Sequence, residues 1–236
     1  MAPRVEWLRD VSPATWIRAR LHPFAQDVGS VIPEGFAAYC RLFHPVERWE
    51  AGARRRERWS ELAERNGRIV HREMQYHMIS RPRGRAAPVP DRSGHQTSWG
   101  SLPIEERRLL VGALRDRTDT PDRCWFSIWE GFGGLDDRGV HERVELPGRR
   151  YLLYAGPVEL ATANPLDFDQ SPNLWWPDDR AWFVATEIDL AWTYIGGTRS
   201  LIDSLVSSER LEVLRAELSD KPFYDSDRPN AALDDD

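Results

Sequence analysis

Two carboxylates, Glu187 and Asp189, stand two residues apart in the segment SPNLWWPDDRAWFVATEIDLAWTYIGGT, residues 171–198. In an extended chain alternate side chains share a face, which puts such a pair about 6–7 Å apart at Cα. That spacing suits an acid and a base working together, or two oxygen ligands for a hard cation. Asp178 and Asp179 lie just upstream and could join them across a turn. One reading is therefore a carboxylate- or metal-dependent hydrolase using Glu187, Asp189 and Asp179. The competing reading is structural. Asp178-Asp179-Arg180 makes a good turn with its own charge pairing, and Glu187 and Asp189 can pair with arginines of a neighbouring strand, such as Arg149 or Arg150. Ion pairing is the preferred account, and no residue is assigned as catalytic.

The same segment is rich in tryptophan. With residues 181–192 extended, Trp182, Val184, Ile188, Leu190 and Trp192 fall on one side, and Phe183, Ala185, Glu187 and Asp189 on the other. Trp175 and Trp176 cannot both point inward in an extended chain, so one of them is expected to be partly exposed. Exposed loop aromatics stack on sugars, anchor partners or cap a core. Taken with Trp99, they support a binding surface of Trp99, Trp175, Trp176, Asp178, Asp179, Arg180, Glu187 and Asp189, open to a small ligand or carbohydrate.

Other constellations fail on geometry. His71, Glu73 and His77 in HREMQYH have metal-binding atoms. On a strand, however, His71 and His77 would stand roughly 20 Å apart, too far for one ion. The His-x-Glu pair lacks the Pro-Cys-x-x-Cys partner of a deaminase. The glycines of WEGFGG, at 131, 133 and 134, do not make a dinucleotide loop. Lys221 is the chain's one lysine and lies outside any phosphate-binding glycine loop. Cys40 and Cys124 are expected to be reduced, buried thiols. No metal and no cofactor is expected.

The elements that must position these residues read as follows. Helices are expected at 13–21 and 33–43, the latter from Phe36, Tyr39, Cys40 and Phe43 at helical spacing. Further helices are expected at 55–65, at 103–116 after Pro103, and from Arg199 to Leu218, with Ser207 or Ser208 capping its second half. Strands are expected at 70–79, 124–129, 150–155 and 181–190. Residues 80–101, with three prolines and three glycines, read as a long exposed loop. The fold class is α+β: one domain over residues 1–222, with a mostly antiparallel sheet of about four to six strands packed with helices from the N-terminal half and the C-terminal end. Residues 223–236 read as a polar, disordered tail.

Composition narrows the partners. A net charge of −6 disfavours broad binding to nucleic acid, and the run Arg54, Arg55, Arg56 and Arg58 reads as a solvated face beside acidic neighbours. No stretch is long and apolar enough for a membrane span. The start, MAPRVEWLRDVSP, lacks the apolar region of a secretory signal, so a cytoplasmic protein is expected.

The run NLWWPDDRAWFVATEID followed by TYIGG resembles a family of soluble actinobacterial proteins to which no activity is attached. IPEGFAAYCRLFHP, TPDRCWFSIWEGFG and RRYLLYAGPV are further landmarks, and the likeness covers most of residues 31–206. IPEGFAAYCRLF is also similar to the entry helix of SUKH-type immunity proteins, α+β binders that neutralise toxins, although the glycine pair that usually follows is absent. The functional expectation is a non-catalytic binding or protein-interaction module, immunity-like, with a protein or small-molecule partner. The hydrolase and the small-ligand or carbohydrate binder are the alternatives.

Overall fold

A computed structural model describes residues 5–50, 52–83, 96–133, 135, 139–163 and 169–235. In chain order its elements are α1 (Thr15–Arg18), β1 (Ala38–Phe43), β2 (Val46–Glu50), β3 (Ala53–Glu57), α2 (Trp59–Arg65), α3 (Tyr76–Ile79), β4 (Gln96–Thr97), α4 (Ile104–Arg115), β5 (Cys124–Trp129), β6 (Val144–Leu146) and β7 (Arg149–Gly156). They continue with β8 (Leu174–Pro177), β9 (Phe183–Ala185), β10 (Trp192–Gly197), α5 (Arg199–Val206), β11 (Val213–Ala216) and α6 (Arg228–Asp235). Helices and an antiparallel sheet make an α+β fold.

The main sheet has eight strands in the order β11-β1-β10-β9-β8-β5-β7-β6, more than the four to six expected. A second sheet, β3-β2-β4, stands apart from it. Among the described residues all strand pairings are antiparallel, including the meander β8-β9-β10 and the hairpin β6-β7.

Both faces of the main sheet are covered. One carries Phe43, Trp176, Phe183, Trp192 and Tyr194 against Ile17, Val28 and Ile32 of the N-terminal segment and Trp59 and Leu62 of α2. The other carries Leu42, Phe126, Trp175, Val184 and Ile195 against Leu110 and Leu114 of α4 and Leu201, Ile202 and Leu205 of α5. Consecutive residues of one strand are thus buried in opposite layers. Trp175 and Trp176 are 0% and 1% exposed, so the expected half-exposed tryptophan is not there.

Several expected elements change type for the same reason. Residues 33–43 were expected helical, yet Ala38–Phe43 form the strand between β10 and β11. Phe43 lies in one apolar layer while Cys40 and Leu42 lie in the other, so both faces need apolar residues and helical spacing arises without a helix. The expected helix at 13–21 shrinks to a 3-10 turn at Ser12–Ala14 followed by α1. That at 55–65 begins as strand β3 before α2. The expected strand at 70–79 is a turn followed by α3. The strand expected over 181–190 is reduced to Phe183–Ala185, and the helix from Arg199 ends at Val206, ahead of strand β11. Ser207 ends that helix, and the Ser208 hydroxyl accepts from the Arg210 and Leu211 amides in the turn that follows. Of the expected loop at 80–101, residues 84–95 lie outside the described residues and 96–97 form β4.

The tail is ordered by specific contacts. Asp227 caps α6, accepting from the Asn230 amide at 3.2 Å. The Asn230 side chain closes two hydrogen bonds on the Ile69 backbone, at 2.7 and 3.0 Å. Arg68, its side chain fully buried, reaches the Asn230 carbonyl at 3.0 Å and the Asp234 carboxylate at 2.8 Å. His71, at 2.6 Å from Asp227, and His77, stacked on Tyr224 at 3.5 Å, both serve this docking.

Candidate functional site

The β6-β7 hairpin turns on Pro147-Gly148, with Leu146 opposite Arg149 in register. Gly148 has φ +74°, the left-handed geometry that the second central residue of a Pro-Gly turn demands. This tight turn sets Arg149 at the start of β7, with its guanidinium facing the chain after β9. There Glu187 closes its own turn, the Leu190 amide returning to the Glu187 carbonyl at 3.1 Å.

One guanidinium gathers both acids. Arg149 Nε and Nη2 donate to Glu187 Oε1 at 3.0 and 2.5 Å, and Nη2 also donates to Asp189 Oδ2 at 2.8 Å. Nη1 donates to the Gly148 carbonyl at 3.1 Å. The Ile188 amide donates to Glu187 Oε2. Burial raises the Glu187 carboxyl above its ordinary value, against the pull of Arg149. The Arg149 guanidinium also lies over the Phe24 ring at 5.4 Å.

These groups sit at one wall of a cavity of about 200 Å³. The rest of its lining is largely apolar: Leu21, Phe24 and Val31 from the N-terminal segment, Leu146 and Leu174 from the sheet, and Pro222 and Phe223 from the C-terminal segment. Tyr151 lines it too and is 5% exposed. Burial, with Glu187 nearby, holds that phenol above its usual value, so it stays neutral. A concave, largely apolar space with a few polar groups at its rim is the usual form of a small-molecule site.

The structure divides the residues singled out in the sequence. Glu187 and Asp189 come together on Arg149. Asp178, Asp179 and Arg180 lie in the turn at the opposite end of the β8-β9 hairpin and do not join them. Asp178 accepts from Trp125 Nε1 at 3.0 Å. Asp179 accepts from the Thr118 hydroxyl and the Asp119 amide, each at 2.7 Å. Arg180, at φ +57°, lies over the Trp16 ring at 5.1 Å. Trp175 and Trp176 offer no face to a sugar, because the two apolar layers enclose them. Trp99 is exposed. Cys40 and Cys124 are free and buried.

Sequence reasoning missed the cavity walls. Pro147-Gly148 carried a usable signal, since Pro-Gly after a short apolar strand marks a tight turn and flags Arg149 beside it. Phe24, Pro222 and Phe223 carried none, as each lies in an irregular segment whose place is set by docking on distant elements. Among the described residues no group of three or more His, Cys, Asp or Glu is arranged to hold a metal ion, and no helix is long and apolar enough to cross a membrane. No family model, curated protein or solved structure matches the chain.

Proposed function

We propose that this chain is a non-catalytic binding protein that holds a small, largely apolar molecule in the cavity beneath Arg149. The observation that carries the reading is the cavity itself, about 200 Å³ of largely apolar space that Tyr151 helps to line, with an ion-paired triad at one wall. The hydrolase alternative draws less support. Glu187 and Asp189 share one guanidinium, and both Glu187 oxygens are already engaged. A general acid or base needs an open position toward its substrate. A binding site needs only shape and a few fixed polar groups. The arginine run gives little support to a nucleic-acid partner, since Arg54 pairs with Glu47 and Arg56 with Glu105 and Glu106.

The test is a thermal-shift screen of single-ring fragments against the full chain and Leu146→Trp, which places an indole in the cavity. A ligand at 100 times its Kd adds about 2.7 kcal/mol to stability. Saturable shifts in the wild type that vanish in Leu146→Trp are expected. Shifts that survive the blocking substitution, or none across the screen, overturn the proposal.

A further inference from the structure

We infer that the cavity selects a molecule of one ring or a short alkyl chain that carries a protonated amine, recognised by the carboxylates of Glu187 and Asp189 and the hydroxyl of Tyr151. This rests on the binding reading above and adds the charge and size of the ligand.

Size follows from volume. An apolar cavity of roughly 150 Å³ accepts benzene. The present cavity, about 200 Å³, therefore holds a single ring with a short substituent.

Charge follows from the polar wall. It carries two carboxylates against one guanidinium. Arg149 has committed Nε and both Nη atoms to Glu187, Asp189 and the Gly148 carbonyl, so little donor capacity remains for an anionic head. Acceptor capacity does remain. Asp189 is exposed and uses one oxygen on Arg149. Tyr151 lines the same cavity, and a phenol oxygen can accept from an ammonium. An ammonium has three donors and no acceptor; Asp189 and Tyr151 line the cavity as acceptors for it, and the engaged Glu187 adds its negative charge. A carboxylate head would meet two like charges instead, which is unfavourable.

The test is calorimetric titration of the full chain with three probes of matched shape: 2-phenylethylamine, 2-phenylethanol and phenylacetate. The amine is expected to bind about ten-fold tighter than the alcohol, in keeping with a charge-assisted hydrogen bond, and phenylacetate more weakly than either. Tyr151→Phe and Asp189→Asn are each expected to narrow the ratio of amine to alcohol affinity, because each removes more from the charged donor than from the neutral one. Asp189 is on the surface, so its variant keeps the test independent of folding. Equal affinity for all three probes overturns the charge inference and leaves the cavity as a binding site. Tightest binding of phenylacetate overturns it in favour of Arg149 as the anchor. Binding of none of the three overturns both this inference and the reading on which it rests.

Discussion

Asp227 Oδ1 lies 2.6 Å from His71 Nε2, across 156 residues of chain. Its other oxygen accepts from the Gln75 amide at 2.9 Å and from the Asn230 side chain at 3.1 Å. A single carboxylate therefore ties the turn before α3 to the cap of α6.

Asp227→Ala removes the cap and these bonds together. It should cost about 2 kcal/mol of stability in urea unfolding, and limited proteolysis should cut the C-terminal segment earlier than in the wild type. Unchanged protection would show that Arg68 and Asn230 hold the segment by themselves. Burial works to raise the Asp227 carboxyl, but the bonds from His71, Gln75 and Asn230 leave it below its ordinary value of 3.8. Its contribution is present above that pH and is lost as pH falls through the lower folded value.

His44 sets a separate acid limit. Its Nδ1 meets the Ser98 carbonyl at 2.7 Å and can only donate there. Its Nε2, at 2.9 Å from the Thr193 hydroxyl, therefore accepts, and Thr193 continues to Thr186 at 2.7 Å. Burial, with Arg41 nearby, pulls the imidazole from 6.5 down to about 4. Between those values the unfolded chain holds the extra proton, so stability falls as pH falls, by up to about 1.4 kcal/mol per pH unit. Urea titrations from pH 7 to pH 4 should show this slope, and His44→Gln should flatten it. His77, which burial also brings to about 4, adds a slope of the same sign, and the buried carboxyls Glu106, Glu187 and Glu212, which burial raises, oppose it. An identical slope in the variant and the wild type would remove His44 from the account.

Arg41 is buried in an aromatic enclosure, 3.7 Å above the Trp192 ring and 4.5 Å from that of Phe43. Its two Nη atoms donate to the Arg72 and Met74 carbonyls at 2.6 and 3.0 Å. Lysine keeps the charge but offers a point donor in place of a planar fork. Arg41→Lys should cost about 2 kcal/mol in urea unfolding, with a shift in tryptophan fluorescence from Trp192. A variant as stable as the wild type would mean that the fork adds nothing beyond charge.

Gly148→Ala tests the turn that carries Arg149. A Cβ at φ +74° is strained, and it would stand 2.5 Å from the Phe24 ring. A loss of about 1–2 kcal/mol is expected. Combining it with Phe24→Ala should recover the part due to the collision and leave the part due to φ, a double-mutant cycle read by thermal unfolding. Simple additivity of the two substitutions would show that the ring moves aside freely.

Local information in the chain was enough for some elements and for one contact. Helix α4 is amphipathic over three turns after Pro103, and β5 and β7 are short apolar runs bounded by turns, so neighbouring residues alone decide them. The pairing of Glu187 and Asp189 with Arg149 was legible from charge, but not its geometry: the acids sit in the turn after β9, and β8 and β5 lie between β9 and β7. The rest depended on what covers each face. A strand buried on one side alternates, but β1, β8 and β9 are buried on both, and their continuous apolar runs lose the period that separates strand from helix. That is why residues 33–43 read as helical and why Trp175 and Trp176 seemed unable to be buried together. The cavity lay further out of reach. Its walls come from four segments far apart in sequence, brought together when the N- and C-terminal segments dock on the finished sheet, and no local pattern in the chain records that meeting.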